Sequence, residues 1–233
     1  MSGSAQPFDA GEAQAVYRAI AERRDMRHFR PGPVDAAVLA RLMRAAHLGP
    51  SVGFMQPWRF IRMVRPELRA VLHVLVEQGR AATADALGER GRKFLKLKVE
   101  GMRECGEIVV ATLCDEREMH VFGRRTLPEM DLASVACAIQ NMWLAARVEG
   151  IGLGWVSMFD PLKVAALLKL PAGSRPVAIL CIGNVDAYYE RPLLEQSGWA
   201  ERANLQDLAF EDEWGVRTGL NLDSTIGPLP EQP

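Results

Sequence analysis

The chain has 233 residues, 48% of them hydrophobic, which supports one domain or two small ones with ample core. Its formal net charge of −1 gives no global field for nucleic acid or a membrane surface, so any anion site must be local. No apolar run is long enough to span a bilayer and residues 1–10 carry no basic-then-apolar leader, so a cytoplasmic protein without membrane attachment is expected.

Residues 1–8 read as a disordered leader, and residues 9–220 as a single domain. Asp9 caps a helix over 10–24 with Ala13, Val16, Tyr17 and Ile20 on its apolar face. Asp35 caps a second, which stops at Leu48-Gly49-Pro50. A loop, Ser51 to Trp58, feeds a strand over Arg59–Val64. Pro66 opens a helix that Gly79 is expected to close. Residues 80–104 are basic and broken by Gly88, Gly91 and Gly101, a pattern suited to a lid. Ile108–Cys114 reads as a strand buried on both faces.

Asp131 is expected to cap a long helix over 132–149, apolar nearly all round, as befits a domain centre or a dimer interface. Strands follow at Gly154–Phe159 and Val177–Ile182, separated by a short helix opened by Asp160-Pro161. From Asp186 periodicity weakens, and Trp199 and Trp214 imply a packed tail; residues 221–233 read as disordered. The order of elements is α+β.

Nucleotide loops are absent, since Ile151-Gly152-Leu153-Gly154 precedes a strand instead of following one. Cys105, Cys114, Cys137 and Cys181 form no Cys-x-x-Cys pair, so buried free thiols are expected. His28, His47, His73 and His120 show no ligand spacing, so no metal is expected. The densest chemistry is Arg23-Arg24-Asp25-Met26-Arg27-His28-Phe29, with Arg30 next to it. Guanidiniums in such a cluster can clamp a phosphate in bidentate forks. The same residues also suit a solvated basic helix end, with Asp25 as counter-ion.

Four features in order shift that balance: the arginine cluster, the Pro50-Ser51 loop running into Gln56-Pro57-Trp58, the apolar helix with its Gly150–Trp155 exit, and Gly183 followed by Arg191-Pro192. Over residues 12–195 this order resembles the FMN-dependent nitroreductase superfamily. The resemblance implies a mixed sheet flanked by helices, in a homodimer with a central apolar helix and FMN at the dimer interface. It also implies FMN contacts from Arg23, Arg24, Asp25, Met26, Arg27, Ser51, Lys98, Ser157 and Arg191.

Asp25 (where ordinary members place a neutral residue), Gly154–Pro161 with Ser157, and Leu97–Gly101 resemble a branch that consumes its flavin. For that branch the expectations are reduced FMN as substrate, O2 as co-substrate, and Asp25 and Ser157 as the catalytic pair. A separate flavin reductase would supply the reduced FMN. An ordinary NAD(P)H-dependent nitroreductase or flavin reductase is the alternative. Phe54 stands where ordinary members carry an Asn that touches flavin, so the loop is expected to contact it through Ser51 and backbone.

Overall fold

The structure, a computed structural model, describes residues 6–222. The expected leader and tail fall largely outside them. In chain order the elements are α1 (Ala10–Glu22), α2 (Ala36–His47), β1 (Trp58–Arg62), α3 (Pro66–Ala86), α4 (Gly91–Leu95), β2 (Glu107–Leu113) and α5 (Met130–Val148). There follow β3 (Ile151–Val156), α6 (Pro161–Leu168), β4 (Arg175–Asn184) and α7 (Leu193–Gln196). One compact unit runs Arg24–Tyr189, and the described residues before and after it form a second.

The Arg24–Tyr189 unit is built on a four-stranded sheet in the order β1-β2-β4-β3, its neighbours antiparallel. The parallel component is a single bridge between Asp25 and Leu153. β2 is buried along its whole length, and its side chains alternate between two cores. Val109, Ala111 and Leu113 join Leu42 of α2 and Ile139 and Met142 of α5. Ile108 and Val110 join Leu72 and Val76 of α3 and Val164 of α6. The sheet is therefore covered on both faces, as the unbroken apolar run required.

Capping follows the acids read from sequence. Asp35 Oδ1 accepts from the amides of Ala37 and Val38, and Asp160 Oδ1 from those of Leu162 and Lys163. α5 turns Val135, Ala138, Ile139, Met142 and Ala146 inward, all without solvent exposure. Its outer side leaves Ala133, Cys137 and Val148 exposed. α2 packs closely on it because Gly49 has no side chain: a Cβ there would lie 3.0 Å from Ala138 Cα.

The structure differs from the sequence reading at several points. Gly79 does not end α3. A Cβ there would meet the Met158 carbonyl oxygen at 2.6 Å, so the glycine admits the β3–α6 loop against the helix. Asp131 does not cap α5. It lies buried in the first turn and pairs with Arg117 at 2.8 Å and Arg124 at 3.1 Å, pinning the connection before the helix. β3 spans 151–156 instead of 154–159. Of the four thiols Cys137 is exposed, while Cys105, Cys114 and Cys181 are buried.

In the other unit, Asp9 and Glu12 form a reciprocal capping box at the start of α1. Val16, Tyr17 and Ile20 of that helix remain 40–47% exposed. Trp214 is not packed as expected; it is 92% exposed and touches Phe210 at 5.1 Å between ring centroids.

Candidate functional site

The segment after α1 runs along the outer edge of β3. Met26 donates its amide to the Leu153 carbonyl at 3.0 Å. One residue earlier the side chain takes over from the backbone: Asp25 Oδ1 accepts the Trp155 amide at 2.8 Å. Arg27 then bridges both groups. Its Nη2 bonds the Trp155 carbonyl at 2.9 Å and the Oδ2 of Asp25. The edge strand's polar groups are thus satisfied by Asp25 and Arg27 in place of another strand.

Glycines make this approach possible. A Cβ on Gly154 would sit 2.1 Å from the Met26 carbonyl oxygen. Phe29 fills a socket among Gly101, Gly152 and Gly183, where added Cβ atoms would come within 2.4–3.2 Å of its ring. The Gly152-Leu153-Gly154 pattern therefore serves packing, and it carries the Asp25–Phe29 segment on a strand.

Tyr189 holds the segment from the other side. Its hydroxyl accepts the amides of Arg27 and His28, each at 3.1 Å, and lies 2.6 Å from His28 Nδ1. Its carbonyl accepts Arg24 Nε at 2.9 Å, and Trp143 Nε1 donates to the Arg24 carbonyl at 3.0 Å. Tyr188 anchors the same turn by donating to the Ile151 carbonyl at 2.7 Å. Burial pushes its phenol up to about 12, against the opposing pull of the Arg147 guanidinium 4.4 Å from its ring. Neither tyrosine was singled out from sequence, because two aromatics in an aperiodic stretch carry no pattern.

The resulting group is a carboxylate and a guanidinium, each held by hydrogen bonds to the Trp155 backbone. The Asp25 side chain is 39% exposed and that of Arg27 13%. Arg27 Nη1 is buried without a hydrogen-bond partner among the described residues. A buried cationic donor in that state fits an anionic group such as the phosphate or pyrimidine edge of FMN.

A model of the nitroreductase family matches residues 20–184. The chain is 44% identical over 183 residues to a 5,6-dimethylbenzimidazole synthase of Rhodospirillum rubrum, covering 77% of this chain and 86% of that one. It is 40% identical over 196 residues to a protein of the same name from Rhodobacter capsulatus, covering 83% and 95%. The chain belongs to the nitroreductase family. Among solved structures, nitroreductase A of Vibrio parahaemolyticus superposes with a TM-score of 0.63 at 18% identity, over 90% of this chain and 79% of that one. Iodotyrosine deiodinase bound to FMN and 3-iodo-L-tyrosine gives 0.62 at 20% identity, over 76% and 94%. These likenesses show the nitroreductase fold.

The remaining residues expected at a nitroreductase flavin site have surroundings of their own. Met26 has its side chain in the core, 1% exposed. Ser51 sits on the α2–β1 loop, where its hydroxyl oxygen accepts the Gln56 amide at 3.1 Å and keeps its own proton to donate. That loop holds Phe54 and Gln56 at φ 54° and 50°, with Phe54 82% exposed. Bulky residues in this region are strained and mark loops whose shape is over-determined.

Lys98 pairs with Glu104 at 2.9 Å on the coil after α4. In the other unit, Arg23 caps the end of α1 and Arg191 pairs loosely with Glu195 at 3.7 Å. Ser157 was expected as a buried strand hydroxyl. It instead lies exposed, one residue beyond β3, on the wall of a cavity of about 440 Å³ shared with Gly79, Thr83, Phe159 and Lys163.

Proposed function

We propose that this nitroreductase-family enzyme is a 5,6-dimethylbenzimidazole synthase. Reduced FMN is the substrate and O2 the co-substrate, and the flavin is fragmented to 5,6-dimethylbenzimidazole and erythrose 4-phosphate, with the carbons and nitrogens of the pyrimidine ring leaving as a separate fragment; the benzimidazole supplies the lower ligand of cobalamin. The observation that carries the reading is the 44% identity, across 77% of the chain, to a relative of that name. The anchored Asp25 supports it, because a carboxylate at the flavin-facing edge gives the chain a proton acceptor.

FMN supplies both the redox chemistry and the carbon skeleton; the protein binds, orients and moves protons. Arg24 and Arg27 are assigned to the anionic end, and Ser51 and Lys98 to the ring. Asp25 takes a proton near the ribityl C1′. Its two oxygens are fixed by Trp155 N–H and Arg27, so its position is set before substrate arrives. Ser157 hydrogen-bonds to align Asp25 or the flavin. The 80–104 segment closes over the ring, a partner copy completes the site, and a separate flavin reductase supplies reduced FMN.

The test is Asp25→Asn. A positioned base contributes about 10²–10⁴ in rate, so the variant should retain FMN binding, read by flavin fluorescence quenching, and lose product formation by that factor. Undiminished product would remove Asp25 from the chemistry.

A further inference from the structure

α3 carries His73 and Glu77 one helical turn apart, and so on one face. The coil after α4 brings Glu100 to them. One ligand atom from each of the three lies within 4.8 Å of the other two. His73 Nε2 and Glu100 Oε1 are 3.7 Å apart, with side chains only 13% and 15% exposed. The cluster was invisible along the chain because its third member comes from a different segment.

We propose that His73, Glu77 and Glu100 form a binding site for a divalent first-row transition-metal cation, of which Zn2+ is the probe. One imidazole and two carboxylates are a donor set such ions accept, with water completing the shell. Metal–ligand bonds of about 2.0–2.2 Å place donors no more than about 4.4 Å apart, so a small side-chain movement closes the set.

Two neighbouring contacts orient the ligands. Glu100 Oε2 accepts the Met102 amide at 2.5 Å, leaving Oε1 toward His73. Glu77 Oε2 accepts Arg80 Nη1 at 3.2 Å. Hydrogen bonds to ligating carboxylates are a regular feature of metal sites. Arg80 offsets one of the two carboxylate charges, and a cation between the three offsets the rest.

A bound ion would tie α3 to the coil that carries Gly101, and Gly101 abuts Phe29. The ion thereby fastens the 97–101 segment without taking part in the reaction. This proposal stands independently of the flavin chemistry.

Titrating Zn2+ into the full chain by calorimetry tests it. The expected result is saturable one-to-one binding with a rise in Tm, and a Co2+ adduct with a visible d–d absorption band. His73→Ala and Glu100→Gln should each weaken binding by about tenfold or more and remove the band. His120→Ala should do neither. Circular dichroism checks that the variants fold, and Glu100→Gln preserves side-chain volume should His73→Ala not. No saturable binding at millimolar Zn2+, or binding unchanged in the folded variants, overturns the site and leaves His73 and Glu100 an ion pair only.

Discussion

Tyr189 uses its hydroxyl to full capacity. Two lone pairs accept the amides of Arg27 and His28, which leaves its proton for His28 Nδ1. Removing that oxygen leaves the part-buried Arg27 amide without its partner, at a cost of about 1–3 kcal/mol. Tyr189→Phe should therefore lower Tm by about 2–10 °C and weaken FMN binding, since the amides it holds define the Arg27 position. An unchanged FMN affinity in a destabilised variant would show that the clip is structural alone.

Tyr188 makes a separate prediction. Its folded-state value of about 12 exceeds the ordinary value of 10. The stability it contributes is therefore complete below pH 10 and lost as pH rises through 12. Phenolate absorbance should show one tyrosine ionising near 12, a component missing in Tyr188→Phe. A native titration without that late component would contradict its buried state.

At the scale of elements, the site depends on a strand edge closed by a charged segment and on glycines that let the two meet. Gly154→Ala places a methyl group against the Met26 carbonyl, an overpacking that costs about 1–3 kcal/mol. Its effect should reach Asp25, whose bond partner Trp155 is the next residue, so Tm and FMN affinity should fall together. A variant with native Tm would mean the segment yields freely.

The helices, the buried strand β2 and the arginine cluster were legible in sequence because each rests on a local pattern: a cap, a period or a run. The reasons for Gly79, Gly101 and Gly154 were not, because each glycine answers to a residue distant in the chain. Asp131 was misread for the same cause; its acid position suited a cap, while its partners Arg117 and Arg124 lay in a connection without periodicity. Ser157 was assigned to a strand because its neighbours are apolar, yet β3 ends at Val156. Asp25 was recognised by its contrast with a neutral residue in relatives, and its bond to a backbone amide could be seen only in three dimensions.

On the scale of the whole molecule, apolar surface remains on the outer side of α5 and at Leu48, Phe54 and Phe122, the last three 79–84% exposed. The partner copy proposed above would cover such groups. Light scattering should give twice the 25.8 kDa of one chain; a monomer that binds FMN tightly would contradict a site shared between copies. No described helix is long and apolar enough to cross a membrane. The proposed reaction consumes the flavin. Mixing the protein with chemically reduced FMN, admitting air and separating the products should yield 5,6-dimethylbenzimidazole in proportion to FMN lost, whereas full recovery of oxidised FMN with no benzimidazole would contradict it.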